Sequence, residues 1–517
     1  MKKIFKLNKL NSDSRTVNSF RNVSAGFVSQ GFTYLFGVIN RVVFVRCLTA
    51  EYLGVNGLFT NVLSMLSLAE LGIGSAIVFA LYKPLSKNNE KEISALMSFY
   101  AKAYKAIGLL VAVVGLALLP FMGKIIGEAP NIKENLNIIY LLYLFNTSSS
   151  YFFSYKCSLL NADQKNYIVT FISTFTTLIQ SVIQWIILFT IKNFIIYLIC
   201  QSVFTLLSNI IVSFYVDKHY KYLKKYKKEK LEPEIKKSLF VNVKALVITK
   251  VSGILVNSTD NIIITALNGL SATGLNSNYV LLTSTLNSIL TVIFTGMTGS
   301  VGNANATLSK EHQMKLFNSI NLLNFWLYGW CSIAFIILSN DIVEIFFGKE
   351  YVLSMSIVII MAVNFYTVGM QNSVWTFYNT LGLFDHGKYL GLVTGAVNIV
   401  LSIYFGKIWG LFGILFATFI SRLVTNIWYS PFALFKYGLK ENIWKYFVTY
   451  IKYLLVLIFT LFLNYIATNF ELGNNILSFI LKLVICIIVP NLVFLIVFFR
   501  TKEFSYIKTK LKFLIGR

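Results

Sequence analysis

The side chains best able to do chemistry in this sequence are charges and amides set inside apolar runs. Arg41 stands in FGVINRVVFVRCL, residues 36–48, a stretch otherwise suited to lipid. Gln30, Tyr34, Gly37 and Arg41 recur at i, i+4, i+7 and i+11, which puts them on one face of a helix. Lys250, Asn257 and Asn261 share a second such face with Asp260 near it. Glu70 lies in AELGIGSA, and Arg422 sits in a late apolar run. A charge at the bilayer centre costs roughly 3 kcal/mol on insertion scales, so each should face protein or water rather than lipid. Arginine's planar fork can hold a phosphate through two hydrogen bonds. Arg41, Lys250 and Arg422 together would attract an anionic head group into a low-dielectric cavity. Glu70 and Asp260 read either as ion-pair partners or as sites for a coupling proton or cation.

Neutral polar side chains extend the pattern. Thr170, Thr174, Thr177, Ser181 and Gln184 form one stripe, and Ser284, Ser288, Thr291, Thr295 and Thr298 another. Asn364, Thr367 and Gln371 form a third. Stripes of this kind can be close helix packing. Their number fits a water-filled cavity better, one suited to a ligand rich in hydroxyls. The candidate substrate-binding set is therefore Arg41, Lys250, Arg422, Gln30, Tyr34, Ser288, Thr291, Thr295, Asn257, Asn261 and Gln371. Lys102, Lys105, Lys156 and Lys244 are expected to snorkel to the inner membrane face, and Arg46 to the outer one. Five scattered cysteines and three histidines give no metal or disulfide spacing. The sequence has no paired carboxylates, nucleophile motif or GxxxxGK[ST], so no catalysis, metal, cofactor or direct ATP drive is expected.

The elements that must hold these residues are membrane helices. The chain has 517 residues, 56% of them hydrophobic and only 13% charged. Its mean hydropathy is +0.68. About a quarter charged would be usual for a soluble domain. Apolar runs near the ~20 residues that cross a bilayer fall at 23–46, 53–82, 97–122, 136–158, 168–190, 194–216, 240–266, 273–301, 317–339, 354–379, 390–405, 408–430, 450–468 and 476–499. The first 22 residues are polar and basic, and the run after them is too long for a cleavable signal peptide. The net charge of +25 is concentrated in the ends and in the loops after even-numbered spans. That is a positive-inside bias, placing both termini in the cytoplasm of a multi-pass membrane protein. It argues for topology and contact with anionic membrane lipids, and against nucleic acid.

The chain also divides. DKHYKYLKKYKKEKLEPEIKKS (217–238) carries nine Lys after the sixth span and reads as a cytoplasmic connector. LGVNGLFTNVLSML (53–66) echoes TGLNSNYVLLTSTL (273–286). LSK returns from 85–87 at 308–310, and NADQKNY (161–167) answers LFDHGKY (383–389). The offsets are 220, 223 and 222 residues. Spans 1–6 thus pair with spans 7–12 in the same orientation, a transporter arrangement. The expected order is a cytoplasmic segment 1–22, an N-lobe 23–216, a linker 217–239 and a C-lobe 240–430. A loop and helix pair follow at 431–499, then a basic tail at 500–517. The fold class is an all-α polytopic membrane protein: about fourteen helices, two pseudo-repeated six-helix lobes around a central cleft, and a C-terminal helix pair.

Two segments carry a family resemblance, AEYLGVNGLFTNVLSMLSLAELGIGSAIVFALYKPLSKNNEKEI (50–93) and VNSTDNIIITALNGLSATGLNSNYVLL (256–282). Both resemble the Wzx-type polysaccharide flippases of the multidrug/oligosaccharidyl-lipid/polysaccharide (MOP) exporter superfamily. The resemblance covers spans 1–12. It implies two lobes across a V-shaped cleft, alternating access, and an undecaprenyl-pyrophosphate-linked oligosaccharide as substrate in the bacterial cytoplasmic membrane. It implies a pyrophosphate-holding role for Arg41, with Lys250 and Arg422 as further candidates, and a polysaccharide polymerase as a candidate partner. In lipid II flippases of the superfamily an extra helix pair forms a groove for the lipid tail, a role open to spans 13 and 14. A lipid II flippase and a drug exporter of the same superfamily are alternatives. A membrane polymerase or glycosyltransferase fits less well, because no long outer loop is expected.

Overall fold

The computed structural model describes residues 15–66, 70, 73–123, 132–227, 229, 231–233, 251, 253, 259–307, 309–470 and 475–514. These residues are helical, with no strand among them. They form two compact units, Met1–Ile254 and Leu255–Arg517.

The first unit contains α1 (Arg15–Cys47), α2 (Ala50–Leu66), α3 (Ile73–Ser86), α4 (Glu90–Leu118), α5 (Leu136–Ala162), α6 (Asn166–Thr190), α7 (Phe194–His219) and the short α8 (Tyr222–Lys225). Asparagines start three of them. Asn89, Asn135 and Asn193 each accept a backbone N–H from the first turn of the following helix, satisfying donors that a helix leaves open. At Asn89 the cap is reciprocal, since its amide also donates to Glu92 at 2.9 Å. Helix α5 packs on α4 and α7, while α6 joins α1 to α7. The α4–α5 approach depends on Gly115. A methyl there would lie 2.3 Å from Leu144 Cδ1, and the Tyr140 hydroxyl donates to the Gly115 carbonyl at 2.8 Å.

The span expected over 53–82 is not one helix. It is α2 and α3, with Glu70 between them. Interruptions at membrane depth are tolerated only against protein or water.

The second unit contains α9 (Thr259–Thr307), α10 (Lys310–Phe347), α11 (Met355–Thr380), α12 (Leu390–Leu423), α13 (Asn426–Ala433), α14 (Trp444–Thr468), α15 (Asn475–Phe498) and α16 (Lys502–Leu514). Two of these reverse within themselves. Gly269 has φ +82° and Gly410 has φ +58°. The Thr265 and Thr273 hydroxyls meet at 2.8 Å across the first, although eight residues of straight helix would span ~12 Å. Asn398 reaches Thr418 at 3.0 Å across the second. The first reversal falls in the gap between the spans expected at 240–266 and 273–301; the second lies two residues inside the span expected at 408–430.

Helices α14 and α15 belong to this unit's core. Phe325 of α10 stacks on Tyr453 with ring centroids 4.5 Å apart and meets Phe494 at 5.0 Å. Trp326 Nε1 donates to Asn491 at 2.7 Å and Trp330 Nε1 to the Cys486 carbonyl at 2.8 Å. Lys482 pairs with Asp341 at 2.8 Å.

Among the described residues, nine helical stretches are long and apolar enough to cross a membrane. Two of them, Thr259–Phe294 and Leu390–Leu439, each contain one of the reversals. Outward faces carry Leu109 and Val113, Phe171 and Phe175, Leu455 and Phe462, Ile488 and Ile496, all exposed. Apolar surface so continuous needs lipid around it. The protein is a multi-pass, all-helical membrane protein.

Candidate functional site

Helix α1 has two adjacent faces with different neighbours. One is packed. Ser29 meets Thr174 at 2.6 Å, Asn40 donates to Ser181 at 3.0 Å, and Trp185 donates to Asn40. Phe36 stacks on Trp185 at 5.4 Å. Two residues of the α6 stripe read as cavity lining, Thr174 and Ser181, therefore contact α1. Gln184, lower on that stripe, is buried and donates to the Tyr197 carbonyl at 3.2 Å.

The other face, one residue further round, is open. Gln30 is exposed, Gly37 has nothing within 4 Å of a methyl built on it, and Arg41 is half-buried. Arg41 lies within electrostatic reach of the Tyr197 hydroxyl. The side chain of Tyr34 lies outside the described residues, as does that of Thr295; Lys250, Lys244 and Asn257 lie outside them altogether.

Glu70 sits among tyrosines. Tyr104 of α4 donates to its carboxylate. Tyr100, one turn away, meets Tyr104 edge-to-face with ring centroids 4.2 Å apart. A methyl built on Gly74 would lie 2.7 Å from Glu70 Oε1, 2.8 Å from the Tyr104 hydroxyl and 3.0 Å from the Tyr100 hydroxyl. Three oxygens therefore converge on the bare side of one glycine. Among the described residues no basic side chain pairs with Glu70.

In the second unit, Asp260 Oδ2 accepts from the Thr418 hydroxyl at 3.1 Å, and Thr418 also accepts from Asn398. Asp260 Oδ1, Asn398 Oδ1 and the Ser402 hydroxyl are buried without a hydrogen-bond partner. Orphaned buried oxygens are uncommon and call for a physical reason. Arg422, one turn beyond Thr418, lies within electrostatic reach of Asp260 without a contact inside 4 Å. The structure thus brings Asp260 and Arg422 together, as sequence spacing could not show. Asn261, half-buried beside them, uses its carbonyl to accept from Thr265 at 2.8 Å. Thr394, Asn398 and Ser402 were missed in the sequence. Their signal is a run of buried polar residues every fourth position in an otherwise apolar span.

The remaining candidates separate. Thr291 is half-buried beside Tyr328, whose hydroxyl donates to Asn287 at 2.8 Å and accepts from Asn372 at 2.7 Å. Ser288 donates to the Ser284 carbonyl of its own helix at 2.8 Å. Gln371 is buried with both amide atoms unpartnered. Lys102 and Lys105 are exposed. Lys156 pairs with Asp217 at 2.6 Å and reaches Ser213 at 2.8 Å. Just past α7, Tyr220 donates to Asp163 at 2.6 Å. Burial and that carboxylate push its hydroxyl well above the usual tyrosine range.

A groove of about 380 Å³ runs between α10, α11, α12 and α14. Ile333, Ile359, Val363, Leu454, Leu457 and Leu461 are among its walls, which are almost wholly apolar.

The family model described as polysaccharide biosynthesis protein matches residues 19–298. No curated protein sequence matches the chain. Among solved structures, a lipid II flippase MurJ in an inward closed conformation aligns with TM-score 0.64 and 18% identity, over 91% of this chain and 98% of its own. An inward-facing multidrug resistance MATE family transporter of the MOP superfamily aligns with TM-score 0.59 and 13% identity, over 79% and 95%. A Vibrio cholerae MATE transporter aligns with TM-score 0.51 and 14% identity, over 83% and 99%. At these identities the likeness is one of fold.

Proposed function

Because the chain belongs to the polysaccharide biosynthesis protein family, its match covering more than half its length, we propose that it is a flippase of that pathway. It moves undecaprenyl-pyrophosphate-linked oligosaccharide repeat units from the inner to the outer leaflet of the bacterial cytoplasmic membrane, for capsule or exopolysaccharide assembly. Transport is by alternating access, both termini are cytoplasmic, and a polysaccharide polymerase takes the product. The reading is of the Wzx type.

The observation that carries the proposal is the apolar groove against α14. A polyprenyl chain has no hydrogen-bonding group, and a groove almost free of polar walls suits it. A soluble drug gains nothing from such a slot open to lipid. The head group needs the opposite chemistry, which Arg41 supplies from the open face of α1. Its fork can engage two oxygens of a pyrophosphate at once. Gln30, Tyr34, Ser288, Thr291, Thr295, Asn257, Asn261 and Gln371 remain the proposed contacts for sugar hydroxyls, with Lys250 as a second cation. Arg422 is assigned differently: its charge answers Asp260. That carboxylate, with Asn398, Ser402 and Thr418, is the proposed site of a coupling cation. The orphaned oxygens there are ligands in waiting for a small hard ion.

A lipid II flippase is the second reading, favoured by the fold shared with MurJ. One experiment separates them. The gene is deleted in its host, then wild type, Arg41→Ala or Arg41→Lys is supplied. An impermeant sugar-modifying probe then reports which leaflet holds each lipid-linked sugar. Repeat units should reach the outside with wild type, stay inside with Arg41→Ala, and cross in part with Arg41→Lys, which keeps charge but loses the fork. Repeat units that cross in the deletion strain overturn the substrate assignment; lipid II trapped inside instead supports the second reading.

A further inference from the structure

The tyrosine setting of Glu70 continues beyond it. Tyr104 donates to the carboxylate, and the Tyr100 hydroxyl lies beside that of Tyr104, both against the bare side of Gly74. The Tyr100 hydroxyl meets Ser158 Oγ at 3.1 Å. Ser158 lies one turn before Ala162, the last residue of α5. Ala162 and Ile93 line a polar cavity of about 950 Å³, walled by Tyr82, Asn88, Asp163, Lys165 and Tyr222. In the topology proposed above this is the cytoplasmic end of the first unit.

We propose that Glu70 is a proton-binding site, loaded from the cytoplasmic side through the hydroxyls of Ser158, Tyr100 and Tyr104. The inference rests on the flippase reading only for what the proton drives. A proton from water in the cavity reaches Ser158 through the one turn, about 5.4 Å, that a bridging water spans. Each hydroxyl oxygen then accepts a proton on one side and releases its own on the other. Only Glu70 ends changed, from carboxylate to carboxylic acid, and the negative charge inside the membrane is neutralised.

Three observations favour a proton over a metal ion or an ion pair. The group hydrogen-bonded to Glu70 is a hydroxyl, that of Tyr104, which donates to it. The elements packed most closely against α3 are α4 and α5. Their titratable groups facing Glu70 are Tyr100 and Tyr104 from α4 and Tyr151 from α5, with no cation among the described residues. Lys156, the basic residue of α5 in this region, is turned to Asp217. A carboxylate within a membrane needs a cation or a proton. Finally, the feature is single. At offsets of 220–223 residues, position 70 answers to 290–293, the stretch LTVI, which has no acid.

The test needs no substrate, so it can fail without touching the flippase reading. Full-length protein in lipid vesicles is titrated while infrared difference spectra follow the carbonyl stretch of a protonated carboxyl. A band should grow on acidification, vanish in Glu70→Gln, persist in Asp260→Asn, and shift in Tyr104→Phe because a hydrogen bond to it is lost. A pH jump on the Asp163 side should load the wild-type band severalfold faster than that of Tyr100→Phe. A band unchanged in Glu70→Gln and unshifted in Tyr104→Phe overturns the site. Equal loading rates in wild type and Tyr100→Phe overturn the route. A band that instead responds to sodium at fixed pH makes Glu70 a cation ligand and also overturns the proposal.

Discussion

At the scale of single residues, two carboxylates set the problem, and their surroundings differ. Glu70 is met by the Tyr104 hydroxyl in a tyrosine setting, Asp260 by one hydroxyl and the distant charge of Arg422. If Asp260 only balances Arg422, removing both charges should leave a working protein. Leaving either one alone and buried would cost about 3–5 kcal/mol. If it holds a coupling cation, Asp260→Asn/Arg422→Gln should insert and stay monodisperse, yet lose the response of repeat-unit translocation to an imposed cation gradient. Translocation and gradient response both restored in the double variant would leave only the ion-pair role. Lys156 teaches a related point. Its position in the sequence suggested a side chain reaching for water, but Asp217, 61 residues away, gives it a partner nearer at hand. Ion pairs between helices cannot be read along one helix.

At the scale of elements, the reversals near 269 and 410 were legible to within a few residues and their partners were not. Gly269 falls between two expected spans and Gly410 just inside one, and both positions turn the chain. Gly410 combines φ +58° with ψ −137°, a conformation closed to other L-residues. Gly410→Ala would also bring a methyl to 2.9 Å from Asn268 Nδ2. It should cost roughly 1–3 kcal/mol, read as a lower midpoint of thermal unfolding in detergent. An unchanged midpoint would mean the turn relaxes freely. The break at Glu70 was not legible, because AELGIGSA is as apolar as its flanks and only its tyrosine partners from α4 give the carboxylate a place. The α6 stripe was legible as a polar face but not as a contact with α1. Periodicity identifies a face and leaves its neighbour open.

At the scale of the whole molecule, fold class and membrane character followed from composition. The structural division falls at residue 254, inside the expected seventh span, rather than in the linker at 217–239. Helices α14 and α15 lie outside the repeat, yet they supply Tyr446, Tyr453, Leu457 and Phe494 to the core of the second unit. They are part of its stability and not an appendage. Truncation after residue 440 should therefore expose Phe317 and Phe325 and give aggregated protein on size exclusion in detergent. Removal of 502–517 alone should leave a monodisperse peak. A monodisperse chain ending at residue 440 would show that the six-helix repeat stands by itself.

The reversals at Gly269 and Gly410 also decide what the cell's surroundings can touch. In the proposed topology both turns face outward, and neither offers a stretch of extended chain for a protease to thread or an antibody to grasp. An enzyme released into the medium, or a host immune response, would find almost nothing of this protein to recognise there. An epitope tag inserted at either glycine would have to unwind two helices before it could be seen.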